Sequence, residues 1–109
     1  MTEAVKNELD RIVDTLVETG IVTKIILFGS HASGEETPES DIDLCVLTPV
    51  KDEGRLLTKT SIDLRVKISD VQESALDLLT YNQDDFAVRA KSPKSFQRHI
   101  ADHGVVLYG

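Results

Sequence analysis

The chain has 109 residues, of which 40% are hydrophobic and 28% charged; that is a soluble globular balance with material for one packed core, so one domain spanning residues 1–109 is expected. Nineteen acids against twelve bases leave a net charge of −7, which argues against bulk DNA or RNA as a partner, because such binders carry a basic footprint. No stretch approaches the ~20 apolar residues of a membrane span, the first residues lack a signal-peptide layout, and Cys45 is the single cysteine, so an internal disulfide is excluded and the cytoplasm is the expected compartment.

Val5, Leu9, Ile12, Val13, Leu16 and Val17 form one apolar stripe at helical spacing, which predicts an opening helix. Acids at Glu3, Glu8 and Asp10 suit its positive end, and Gly20 suits its stop. The apolar run 24–28 ending at Gly29 reads as a strand. Residues 31–40 are polar, with Gly34 and Pro38, and read as a short helical turn followed by a loop. A second strand is expected over 41–47; its first half alternates polar and apolar, and its second half is wholly apolar, so it runs from an exposed rim into the core. Cys45 then falls among core residues.

Residues 55–69 fit two patterns. Ile62, Leu64, Val66 and Ile68 alternate with polar residues as in a strand, while Leu56, Leu57, Leu64 and Ile68 also share a helix face. Residues 75–81 read as another strand. Asn82 is placed to cap a helix to about residue 90. Ser92 or Ser95 is placed to cap a last helix to about residue 102, and His103-Gly104 stops it before a short strand over 105–108. The elements describe an α/β (α+β) unit with helices packed on a small sheet.

The chemistry concentrates in residues 29–43. Gly29 at a strand end permits a tight turn and close approach of a ligand, and Ser30 follows where a hydroxyl and backbone N–H groups cradle phosphate. Asp41 and Asp43 stand at i and i+2 on an extended segment, so both carboxylates point to one face, with Cα atoms roughly 6–7 Å apart. Two such carboxylates repel unless a cation lies beside them. Hard oxygen ligands of this kind suit Mg²⁺ or Mn²⁺, which complete their shells with water and substrate phosphates. A phosphate-binding turn facing a carboxylate pair reads as a site for metal-assisted phosphoryl or nucleotidyl transfer.

Gly29-Ser30, ten residues, then Asp41-Ile42-Asp43 resembles the signature of the DNA polymerase β-like nucleotidyltransferase superfamily. The flanking Ser40-Asp-Ile-Asp-Leu44, the segment Tyr81-Asn-Gln-Asp-Asp-Phe86, Ser95-Phe96 and Gly104-Val-Val-Leu-Tyr108 are similar to its minimal nucleotidyltransferase (MNT) branch, and the likeness covers nearly the whole chain. The resemblance implies a polymerase β-like fold with a small mixed sheet flanked by helices, and it tips residues 55–69 toward helix. It also implies a third carboxylate on a later strand; Asp77 and Asp63 are the candidates, and Asp77 stands where the branch carries it. Asp41, Asp43 and Asp77 would hold two Mg²⁺ or Mn²⁺ ions, Gly29 and Ser30 would position the triphosphate of an NTP, with ATP expected, and Asp77 would serve as general base.

The branch often carries basic residues after Gly-Ser, where this chain has His31 and Ser33, which leaves less positive charge for the triphosphate. His99 and His103 read as surface residues, and Arg89, Lys91, Lys94 and Arg98 as solvated helix faces. At this length no separate acceptor domain is expected, so the acceptor surface belongs to a partner or to a second copy of the chain. The resemblance implies a small helical HEPN-type protein as that partner, in a toxin–antitoxin pair in which AMP is moved to a partner hydroxyl. The alternative expectation is a non-catalytic MNT-fold module that neutralises or senses its partner by contact.

Overall fold

A computed structural model describes residues 1–109. Helix α1 spans Glu3–Glu18, strand β1 Lys24–Phe28, the short helix α2 Ser30–Ser33, strand β2 Ile42–Thr48, helix α3 Leu56–Ile68, strand β3 Leu76–Asn82, helix α4 Gln83–Arg89, helix α5 Phe96–His103 and strand β4 Val105–Tyr108. The sheet order is β3-β2-β1-β4, with β1 antiparallel to β2 and β4, and β2 parallel to β3. This is the expected mixed sheet. No helix is long and apolar enough to cross a membrane.

The ambiguous segment is helix α3, and topology explains why. Parallel neighbours such as β2 and β3 need a crossover of about a dozen residues or more, normally helical. The strand-like alternation is incidental: Leu64 and Ile68 are buried, whereas Ile62 and Val66 are more than half exposed. Both β2 and β3 begin one residue later than the hydropathy pattern indicates. The Ile42 N–H donates to the Ala75 carbonyl (2.9 Å), and the ladder then runs in register from Ile42–Leu76 to Thr48–Asn82.

Alternation along the strands divides the core in two. Ile25, Leu27, Ile42, Leu44, Val46 and Leu78 join Leu9, Ile12 and Leu16 of α1 and Leu64 and Ile68 of α3 on one face. Ile26, Cys45 and Leu47 join Phe86 of α4 and Ile100 of α5 on the other. Phe28 and Asp43 face each other across β1 and β2. They share the parity of Ile26 and Cys45, so they lie on the α4/α5 face.

Side-chain caps set the helix ends. Thr2 accepts from the Val5 N–H, and Ser95 from the Arg98 N–H. The buried Asn82 accepts from the Asp84 and Asp85 N–H groups, both at 3.0 Å, and donates to the Val50 carbonyl. Glu8 does something other than complement the helix dipole. It is fully buried two turns into α1, where it accepts from the Glu73 N–H (2.5 Å), the Ser74 N–H (2.6 Å) and the Ser74 hydroxyl (2.6 Å). Burial pushes its pKa up, but those hydrogen bonds, with Arg11 nearby, outweigh it and leave the value below the usual carboxylate one. The carboxylate thus ties α1 to the segment that feeds β3.

Candidate active site

The turn after β1 brings the site together. Gly29 sits at φ 76°, ψ −156°, a region open essentially to glycine alone. The Ala32 and Ser33 N–H groups both donate to its carbonyl at 3.1 Å, closing α2. A Cβ built on Gly29 would overlap the Asp43 carboxylate, so a bare backbone is required both for the turn and for the approach of β2's side chain. Ser30 opens α2 directly beside this contact.

Asp43 is the hub. It is half-buried, and Asp77 is its register partner on the adjacent parallel strand, so both side chains rise from the same face on strands about 4.8 Å apart. Asp41 lies two residues earlier, one residue before β2, and is exposed, as is Asp77. Burial pushes the Asp43 carboxyl above the ordinary value; Asp77 and Asp41 push it further, and His31 partly offsets them. Burial and two neighbouring carboxylates thus both disfavour the charged form of Asp43. Register pairs Asp43 with Asp77, but Asp41, Asp43 and Asp77 are not gathered closely enough to form a three-residue ligand group. The hard oxygen donors fit a cation such as Mg²⁺, which needs only one or two protein carboxylates and takes its other ligands from water and phosphate.

Asp63, the rival third carboxylate, is exposed on α3, which packs on the opposite face of the sheet. His31 is half-buried, and its Nε2 lies 3.3 Å from the Ser40 carbonyl, while its Nδ1 is buried without a partner. It therefore braces the loop that delivers Asp41. A cleft of about 570 Å³ opens there, lined in part by His31, Pro38, Ser40, Asp41, Ser74 and Ala75, within the size range of small-molecule sites. A smaller cleft of about 250 Å³ flanks the other side of the turn and includes Gly29, Ser33, His99 and His103. Reading His99 and His103 as surface residues gives their exposure but misses this shared cleft; their i, i+4 spacing on a helix was the available signal.

Comparison with known proteins bears on this geometry. Residues 6–107 match the family model described as "Nucleotidyltransferase domain". A protein of Methanocaldococcus jannaschii named "Putative protein adenylyltransferase" is 35% identical over 89 residues, covering 82% of this chain and 81% of that protein. A solved toxin–antitoxin complex with AMP-PNP has a chain of similar fold, with TM-score 0.54, 21% identity and coverage of 91% of this chain and 72% of that one. So does the complex of tri-AMPylated Shewanella oneidensis HEPN toxin with MNT antitoxin, with TM-score 0.56, 20% identity and coverage of 95% and 71%. With the matched family spanning nearly its whole length, the chain belongs to the nucleotidyltransferase-domain family and is a nucleotidyltransferase.

Proposed function

We propose that residues 1–109 act as a single domain that transfers AMP from ATP to a hydroxyl of a partner protein, with Mg²⁺ or Mn²⁺ held by Asp41, Asp43 and Asp77. The observation that carries this reading is the register pairing of Asp43 with Asp77, with Asp41 close enough to raise the Asp43 pKa. Adenylyl transfer is favoured over other nucleotides by the adenylyltransferase name of the M. jannaschii relative and by the AMP-PNP of the toxin–antitoxin complex.

Bound divalent ions would supply neutralisation of phosphate charge and a lowered pKa for the acceptor hydroxyl. The chain's own residues do the rest. Gly29 lets the Asp43 carboxylate close against the turn, and Ser30 offers a hydroxyl to the triphosphate beside it. Asp77, exposed at an edge strand, is open to the acceptor and takes the proton as the acceptor oxygen bonds to the α-phosphorus. The bond from that phosphorus to the bridging oxygen breaks, and pyrophosphate leaves. His31 holds the Ser40 carbonyl and so keeps Asp41 in place.

The acceptor lies on a small helical protein of the HEPN type, for which this chain is the antitoxin, or on a second copy of the chain. The AMPylated HEPN toxin seen with an MNT antitoxin supports this choice. Both components work in the cytoplasm. The test incubates the chain with Mg²⁺, ATP and the product of an adjacent helical reading frame. A partner heavier by AMP, lost in Asp43→Asn, supports transfer. Full neutralisation by the double variant Asp41→Asn, Asp43→Asn would instead favour a module that acts by contact.

A further inference from the structure

A nucleotidyl transfer site must hold the most highly charged part of its substrate, the two phosphates that leave as pyrophosphate. Neither cleft flanking the Gly29 turn is lined by a lysine or arginine. The smaller one is lined by Phe28, Gly29, Ser33, Glu35, His99 and His103. His99 and His103 lie one turn apart at the end of α5, with ring centroids 4.8 Å apart and both side chains exposed. Aromatic contacts brace them: Phe96 stacks on His99 (6.4 Å, 11°) and meets Phe28 edge-on at 5.8 Å. The face of the sheet that α5 covers is also the face from which Asp43 and Asp77 rise, and Phe28 is the register partner of Asp43. A chain of phosphates running from the carboxylates past Gly29 therefore reaches the imidazoles without crossing the sheet.

We propose that His99 and His103 form the cationic end of the nucleotide site and, when protonated, hydrogen-bond the pyrophosphate portion of the bound triphosphate. The assignment rests on the nucleotidyl-transfer reading and adds to it the residues that compensate for the uncharged Ser33. Histidine is the side chain whose charge changes between pH 5 and 8, and the last turn of a helix favours a cation. Glu35 lines the same cleft. Arg98 and Asp102 on α5 are paired with each other at 2.9 Å, Arg89 of α4 lies in range of Tyr81, and β1 with the turn after it presents only Phe28 and Gly29 to the cleft. His31 faces the carboxylates from the other side of the turn and is untouched by changes in the pair. The fit is therefore to a polyphosphate in weakly acid to neutral solution, with affinity declining as the imidazoles lose their protons.

The test is calorimetric titration with pyrophosphate plus Mg²⁺, and separately with AMP, at pH 6.0 and pH 8.5, on the wild type and on the double variant His99→Gln, His103→Gln. Both positions are exposed, so the variant keeps its fold. Because both imidazoles are solvent-exposed, where ionic contacts are individually weak, the variant should bind pyrophosphate about tenfold more weakly at pH 6.0, with little change at pH 8.5 and AMP binding unchanged at both. The imidazole proton resonances of His99 and His103 should shift to higher pKa on adding pyrophosphate. Pyrophosphate affinity at pH 6.0 that is equal in the two proteins, or absent in the wild type, overturns the assignment. A chain that transfers AMP normally while the variant binds pyrophosphate like the wild type refutes the histidine pair alone; a pair that binds pyrophosphate in a chain that never transfers AMP refutes the transfer reading alone.

Discussion

Gly29→Ala and Gly34→Ala separate the strain of a turn from the geometry of a site. Both glycines have positive φ, 76° and 80°, so an alanine at either costs about 1–3 kcal/mol of backbone strain. At about 4–8 °C per kcal/mol for a chain near this size, each variant should lose roughly 5–20 °C in melting temperature. Their surroundings differ. A Cβ at Gly34 meets nothing within 4 Å, whereas at Gly29 it overlaps the Asp43 carboxylate and lies 3.1 Å from Asp43 Cγ. The overlap is relieved when Asp43 rotates away, and that rotation removes the hub of the carboxylate group. A displacement of order 1 Å in a reacting constellation costs about 100-fold in rate. The assay pairs thermal melts with AMP transfer and Mn²⁺ uptake. Gly34→Ala should melt low and bind Mn²⁺ normally, while Gly29→Ala should melt low, bind Mn²⁺ weakly and lose about 100-fold in transfer. A Gly29→Ala protein that binds Mn²⁺ and transfers AMP like the wild type would refute the placement of Asp43 against the turn.

Three further outcomes follow from the structure. Asp77→Asn should abolish transfer and Asp63→Asn should leave it unchanged, measured by mass gain of the partner; the reverse result would mean that β3 is not the strand carrying the third carboxylate. Glu8→Gln should destabilise the fold by about 1–3 kcal/mol, because its backbone donors lose a charged acceptor in a buried place. Since the folded pKa of Glu8 lies below the ordinary 4.5, its contribution is present above that value and is lost as pH falls through the lowered one; denaturant melts of wild type and variant should therefore converge in acid. Burial pushes the Cys45 thiol up to about 12, so a thiol reagent at pH 8 should label it only when the chain unfolds, and rapid labelling of the native protein would contradict its place in the core.

Local pattern made much of the fold legible. The stripe in α1, the caps Asn82 and Ser95, and the breaks at Gly29 and Gly104 are all short-range signals, and each element they mark is present. Residues 55–69 were ambiguous because Ile62 and Val66 are apolar yet exposed, so their alternation reports no buried face; the parallel pairing of β2 and β3 decides it. The candidate site was legible where it is local, in the spacing from Gly29 to Asp43. Asp77 and Asp63 sit in near-identical Leu- and Ile-flanked contexts; the family resemblance favours Asp77, whose strand register pairs it with Asp43, while Asp63 lies on α3 across the sheet. Glu8 was misread as a helix-end acid because its partners lie 65 and 66 residues away, beyond the reach of any local pattern.

The proposed transfer requires Asp41, Asp43 and Asp77 together to seat divalent cations. Calorimetric titration of Mn²⁺ into the chain with AMP-PNP present tests it most directly. Saturable uptake by the wild type is expected, sharply weakened by Asp→Asn at 41, 43 or 77 and unaltered by Asp63→Asn. No uptake by the wild type, or uptake indifferent to all three substitutions, would contradict it.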